Sequence, residues 1–140
     1  MEQTVIKVGG SDCAIRTSTI VGNSGPVFCV GGTVEIEQTI LAFGGGEPIL
    51  NAGSDLDVHH CVIFGHALGD SIPATHHDNL FRDPLFCDRE SDNFWLCSDS
   101  PCLPGGNDWG IQIGALPAGC GPCNTSVTPM TWGKLKAMYR

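Results

Sequence analysis

Three carboxylates and one imidazole fall at matched places in two short segments of this sequence. Val34-Glu35-Ile36-Glu37 and Leu56-Asp57-Val58-His59 stand 22 residues apart, so Glu35 answers to Asp57 and Glu37 to His59. Both segments alternate apolar and polar residues, the pattern of a strand with one face in a core and the other in solvent. Placed side by side in a parallel ladder, their polar side chains would share an external face at a spacing of about 4.8 Å. Glu35, Glu37, Asp57 and His59 are therefore the candidate ligand-binding residues. Glu35 and Asp57 offer the hard oxygen donors that calcium takes, which makes calcium the one cofactor the pattern suggests. For acid–base catalysis the candidates are Asp55 and Asp57, with Arg16 the nearest basic residue in the regular part of the chain. A glycosidase needs two carboxylates held at a defined separation across a sugar, and spacing in sequence does not supply that distance. A solvated face that binds nothing is the simpler account of the same residues.

Eight cysteines, at positions 13, 29, 61, 87, 97, 102, 120 and 123, form the second constellation. An even number at this density favours disulfides and an oxidising compartment. Cys97 with Cys102 and Cys120 with Cys123 are the local candidates, and Cys87 can join the same C-terminal group. Cys13, Cys29 and Cys61 lie among apolar residues and read as buried thiols. Zinc is the rival: Cys97, Cys102, Cys120 and Cys123 could supply four thiolates, the last two with the two-residue gap of zinc knuckles. A redox-active Cys-x-x-Cys would need a strand before it, a helix after it and basic neighbours, and Cys120-Gly121-Pro122-Cys123 has none of these. His76-His77-Asp78 reads as an exposed polar loop with weak affinity for a first-row metal at best. His59 and His66 are too loosely spaced to define a metal motif. The chain carries no His-Glu-x-x-His, Gly-x-Ser-x-Gly or P-loop motif.

The elements that must position these residues repeat every 22 residues or so. Val5-Ile6-Lys7-Val8, Val27-Phe28-Cys29-Val30 and Pro48-Ile49-Leu50-Asn51 form one series, with Val5, Val27 and Ile49 at steps of 22. Thr19-Ile20-Val21-Gly22, Thr39-Ile40-Leu41-Ala42 and Cys61-Val62-Ile63-Phe64 form another at steps of 20 and 22, so one turn varies in length. The carboxylate-bearing series makes a third short strand per repeat. Gly31-Gly32 and Gly44-Gly45-Gly46 discourage helix, and no 3.6-residue stripe precedes residue 131. Equivalent strands returning at a fixed period specify an all-β chain, a right-handed parallel β-helix whose coils stack on a common apolar column. Ile36 should then lie over Val58 and Val27 beside Ile49. Residues 1–116 are expected to form about five coils, incomplete at the amino end because strand-like sequence begins with no cap before it.

From Asp78 the regularity lapses. Leu85-Phe86, Phe94-Trp95-Leu96 and Ile111-Gln112-Ile113 read as strands of one or two larger terminal coils, with Pro84, Pro101 and Pro104 confined to turns. Phe81, Phe86, Phe94, Trp95 and Trp109 are expected to close the lower end of the core. Residues 117–140 read as a Pro/Gly/Cys linker followed by a short helix, with Thr131 as its cap and Trp132, Leu135 and Met138 on its apolar side. Asn124-Thr125-Ser126 matches the N-glycosylation sequon.

The repeat, with Ser24-Gly25-Pro26-Val27-Phe28-Cys29, Asp83-Pro84-Leu85-Phe86-Cys87-Asp88, Asp99-Ser100-Pro101-Cys102 and Ile113-Gly114-Ala115-Leu116-Pro117, resembles the right-handed parallel β-helix proteins of the pectate-lyase-like superfamily. More narrowly it resembles the carboxyl end of large exported bacterial β-helix proteins, over residues 5–120. That resemblance implies polysaccharide lyases, glycoside hydrolases, adhesins and passive surface spacers as the range of functions, because one fold hosts several. Lyases of this kind pair a calcium-binding acidic cluster with a basic residue that abstracts the sugar proton. Here the carboxylates are present, but the sequence shows no Arg or Lys beside them.

Charge narrows the partners. Seven Lys and Arg against 15 Asp and Glu leave a formal charge of -8, and Lys7 and Arg16 are the only basic residues before Arg82. That balance argues against nucleic acid and anionic membrane surfaces, where cationic side chains carry the binding. No apolar run approaches the roughly 20 residues of a membrane span. Residues 1–10 have no signal-peptide pattern, so a secreted or cell-surface protein would carry its export signal upstream. The expected function is a structural or adhesive terminal segment that touches polysaccharide, with a fragment of a polysaccharide lyase or glycoside hydrolase as the alternative. Its expected partners are upstream coils of a longer chain or another protomer.

Overall fold

The structure is a computed structural model and describes residues 6–9, 12–23, 25–72 and 75–123. Three complete coils run through β1 (Ile6–Gly9), β2 (Cys13–Arg16) and β3 (Thr19–Val21), then β4 (Val27–Val30), β5 (Thr33–Glu37) and β6 (Ile40–Ala42), then β7 (Ile49–Ala52), β8 (Asp55–His59) and β9 (Val62–Phe64). Equivalent strands pair in parallel, giving three sheets ordered β1-β4-β7, β2-β5-β8 and β3-β6-β9. A further strand, β10 (Thr75–His77), extends the second sheet beyond β8. The chain is an all-β parallel solenoid, as its repeat predicts.

Burial dictates the register. Val34 pairs with Leu56, Ile36 with Val58 and Val27 with Ile49. These residues, with Cys29, Leu41, Cys61 and Ile63, form one column in which none is more than 4% exposed. A slip of one residue would turn Glu35 and Asp57 inward, so the apolar alternation determines the pairing.

The first coil is one residue shorter than the sequence spacing suggests. Ile6, not Val5, pairs with Val27, and Thr19 pairs with Ile40 rather than Thr39. All three sheets advance by 21 residues at this step and by 22 at the next. The difference lies in the turn after the third sheet, residues 22–26 against 43–48. At the other end the advance drops to 18, with Asp57 opposite Thr75 and Val62 opposite Leu80. Among the described residues, the chain passes from β9 to β10 without adding a strand to the first sheet.

The corner between the second and third sheets is built the same way in every coil. Thr17, Gln38, His60 and Asp78 each adopt a left-handed conformation, with φ between 46° and 58°. A non-glycine residue there costs about 1–2 kcal/mol. Bonds between stacked corners offset it: the Thr17 N–H donates to the Glu37 carbonyl at 3.2 Å and the His60 N–H to that of Asp78 at 2.7 Å. Because none of the four is glycine, the sequence conceals this corner.

After Leu80 the chain leaves the column, and the expected five coils over residues 1–116 are three and the start of a fourth. β11 (Phe86–Asp88), β12 (Asn93–Cys97) and β13 (Ala118–Cys120) form a separate sheet, with β11 antiparallel and β13 parallel to β12. This layer lies against the outside of the third sheet, where Ile40, Ala42 and Val62 pack with Phe86, Leu96, Cys102 and Ile113. Burial on both faces explains why Ile40-Leu41-Ala42 and Val62-Ile63 are continuous apolar runs rather than alternating ones. The layer is tied back to the early coils by the Gly114 N–H to the Gln38 carbonyl at 2.7 Å and the Ala115 N–H to Thr19 Oγ1 at 2.8 Å. Phe86, Phe94 and Trp109 belong to this second core, whereas Phe81 and Trp95 are 46% and 43% exposed. Ala118–Cys120 is a strand inside the stretch read as linker. The expected helix from Thr131 and the Asn124 sequon lie outside the described residues. Among the described residues, no helix is long and apolar enough to cross a membrane.

The disulfides join Cys87 to Cys120 and Cys97 to Cys123, which overturns the local pairs Cys97–Cys102 and Cys120–Cys123. The reason is topological. Cys97 and Cys120 are register partners on adjacent strands, while Cys102 turns into the second core and is fully buried. Cys29 and Cys61 are buried thiols as expected, and burial pushes them up to about 11 and about 12.

Two outcomes follow from this packing. Ile36→Asp places an unpartnered charge in the column and should cost about 3 kcal/mol or more, abolishing the cooperative melt; near-parental melting would refute the inward assignment. Reduction without added metal should raise amide exchange in residues 86–120 more than in residues 27–63. An equal increase in both would show that the disulfides do not act locally.

Candidate functional site on the second sheet

The outward side chains of β2, β5, β8 and β10 align in two rows because the ladder is in register. Arg16, Glu37, His59 and His77 occupy one set of paired positions, and Ala14, Glu35, Asp57 and Thr75 the next. The predicted juxtapositions of Glu35 with Asp57 and Glu37 with His59 are therefore present. Asp55 stands apart, exposed at the start of β8 and opposite Thr33.

Arg16 lies where the sequence reading placed no base, directly beside the carboxylates. Its Nη2 donates to Glu35 Oε1 and its Nε to Glu37 Oε2, both at 2.9 Å. His59 closes the row from the other side, with Nε2 3.1 Å from Glu35 Oε2 and 3.5 Å from Glu37 Oε1. Extending the repeat one coil upstream would have found this partner, since Arg16 is the register mate of Glu37.

The hydrogen bond from His59, followed by those from Arg16, outweighs desolvation and holds the Glu35 carboxyl below its usual range. The two carboxylates in turn hold the Arg16 guanidinium firmly protonated. One donor atom each from Glu35, Asp57 and His59 lie within 4.8 Å of one another, a separation that one divalent cation can span. Two of these donors are the oxygen type that calcium takes, and the imidazole widens the choice to first-row metals. No known protein family, curated protein or solved structure matches this chain. The site has to be read from its own geometry.

Two features of the surroundings were not visible in the sequence. His59 Nδ1 lies 3.1 Å from His60 Nδ1, so one ring donates and the other accepts. The left-handed corner turns the His60 ring edge-on to Trp109 with centroids 4.8 Å apart, linking the row to the outer layer. Elsewhere, the nearly buried His66 ring donates from Nδ1 to Asp70 at 2.8 Å. Burial pushes Asp70 up, but hydrogen bonds from the His66 backbone, the His66 ring and the Gly65 N–H outweigh it and hold the carboxyl low. The ring packs on Gly44, where a Cβ would come within 2.8 Å of it. This pair pins the turn after β9 to the coil below, alongside the Ala67 N–H to Gly44 carbonyl bond at 3.0 Å.

The lowered Glu35 pKa has a defined pH signature. The folded chain binds fewer protons at this site than the unfolded chain, so stability rises with pH in that window. The contribution is complete above the unfolded value of about 4.3 and is lost as pH falls through the folded one. Glu35→Gln should lower the Tm at neutral pH by about 1–3 °C, small because the pair is solvent-screened. The gap should close as the pH drops below about 4, and a gap that stays constant down to acid pH would contradict the assignment.

Proposed function

We propose that this chain is a structural or adhesive segment of a secreted or cell-surface protein, and that the outer face of its second sheet binds glycan. The observation that carries the reading is the row Arg16, Glu35, Glu37 and His59, hydrogen-bonded across three coils on the solvent side of a solenoid. Adjacent sugar hydroxyls can bridge a carboxylate and a guanidinium that are already held in place, so little ordering entropy opposes binding. Glu35, Asp57 and His59 would hold a divalent cation of the calcium class, which would add a positive charge between the carboxylates and the sugar oxygens. The two disulfides support an oxidising location. Parallel strands at the end of a stack support further coils, or a second protomer, as partners.

Binding is preferred to cleavage on electrostatic grounds. A lyase base must lose its proton, and Arg16 is held protonated by two carboxylates. A glycosidase acid must keep its proton, and Glu35 is held ionised.

The test is retention of the whole chain on immobilised acidic and neutral polysaccharides, with calcium or with a chelator, alongside product analysis. We expect reversible retention, weakened about tenfold by Arg16→Ala through the loss of about 1.4 kcal/mol, with no new reducing ends and no unsaturated-product absorbance. Product formation would replace binding by cleavage. Failure of the folded chain to be retained on any of the polysaccharides would overturn the glycan reading.

A further inference from the structure

The two disulfides bring together a sulfur set that the sequence does not single out. Cys87 comes from β11, Cys97 from the end of β12 and Cys120 from the end of β13, and Cys123 follows Cys120 with a two-residue gap. The Sγ atoms of Cys87, Cys97 and Cys120 lie within 4.8 Å of one another, and that of Cys123 is bonded to Cys97. Tetrahedral zinc with Zn–S bonds of about 2.3 Å needs sulfurs about 3.8 Å apart. Shifts of about 1 Å convert the one arrangement into the other.

We infer that the reduced chain binds one zinc ion through Cys87, Cys97, Cys120 and Cys123, so that the outer layer is closed either by two disulfides or by a tetrathiolate metal centre. The inference does not depend on the glycan reading, since it concerns another face and another chemistry. Its support is that the thiols are brought together by contacts other than the S–S bonds. The Cys97 N–H donates to the Leu85 carbonyl at 2.9 Å and the Leu96 N–H to that of Pro117 at 3.1 Å. The Ser98 N–H donates to the Gly121 carbonyl at 3.2 Å, and the Cys123 N–H to Asp99 Oδ1 at 3.0 Å. These four bonds hold β11, β13 and the Cys120–Cys123 loop on β12 whether or not the sulfurs are linked. Gly119 lets β13 approach this closely, because a Cβ there would fall 2.6 Å from that of Trp95.

Access and charge also fit. Cys120 and Cys123 are exposed, so both a reductant and a metal ion can reach the cluster. Four thiolates around Zn²⁺ leave a charge of about −2; Arg89, stacked over Phe43 at 3.7 Å, lines the same cavity as Cys123 and supplies a nearby cation. Cys102, which spacing grouped with this set, is excluded by its burial in the second core. The conversion balances with a phosphine or dithiol reductant. Each disulfide takes up two electrons and two protons to give two thiols, and the four thiols release four protons when Zn²⁺ binds.

The test uses the full chain reduced with a phosphine and titrated anaerobically with Co²⁺, then Zn²⁺. We expect one tetrahedral, thiolate-ligated Co²⁺ per chain, seen by its charge-transfer absorption and displaced by one Zn²⁺. Zinc should also restore the amide protection of residues 86–120 that reduction removes. Cys87→Ser should lose the charge-transfer band, and Cys102→Ser should keep it in full. Absence of the band in the reduced parent, or its loss in Cys102→Ser with retention in Cys87→Ser, would overturn the assignment even if a variant folds poorly.

Discussion

Parallel backbone pairing between coils with apolar interiors is the constraint on which the rest of the molecule depends. A single coil cannot bury its own inward residues, so Val34 and Ile36 are stable inside only because Leu56 and Val58 lie above them. Backbone hydrogen bonds contribute about 1 kcal/mol each in net terms, so the column is stabilised mainly by what the pairing brings into contact. The same pairing has an electrostatic consequence. It sets Glu35 opposite Asp57, a like-charge contact that destabilises a ladder. Arg16 and His59 sit on the flanking positions and neutralise it. The charged row and the apolar column are therefore two faces of one register.

The solenoid does not continue to the end of the described residues. The third sheet has two apolar faces, one for the column and one for a second core made by the chain after Leu80. Gln38 shows how closely the two layers are linked. Its backbone makes a left-handed corner and its carbonyl accepts from Gly114, while its side chain donates to the Gln112 carbonyl at 3.2 Å. Corner strain in the coil is thus supported by contacts with the outer layer. That layer has few regular strands of its own, and its sheet is joined by sulfur chemistry at Cys87, Cys97, Cys120 and Cys123.

Ionisation separates a binding surface from a catalytic one. A catalytic pair needs groups whose environments pull their proton affinities apart, so that one gives and one takes. On the second sheet the cation and the carboxylates stabilise each other's charged forms. The result is a fixed pattern of charge suited to recognition, with His60 and Trp109 joining it to the outer layer. His66 and Asp70 form a comparable imidazole–carboxylate contact, yet theirs is closed over Gly44 and serves to hold a turn.

Alternation and period were enough to establish the column, its inward residues and the shared face of Glu35, Glu37, Asp57 and His59, because each is a consequence of local geometry repeated at a fixed interval. They also identified Cys29 and Cys61 as buried. The 21-residue first coil escaped because Val5 and Ile6 are equally apolar, so either could be aligned with Val27. The corners at Thr17, Gln38, His60 and Asp78 escaped because no glycine marks them. Arg16 beside Glu37, Cys97 beside Cys120 and the turning of Cys102 into a second core were decided by tertiary structure alone. Each joins residues whose neighbourhood depends on where the chain goes between them, and local side-chain pattern does not encode that path.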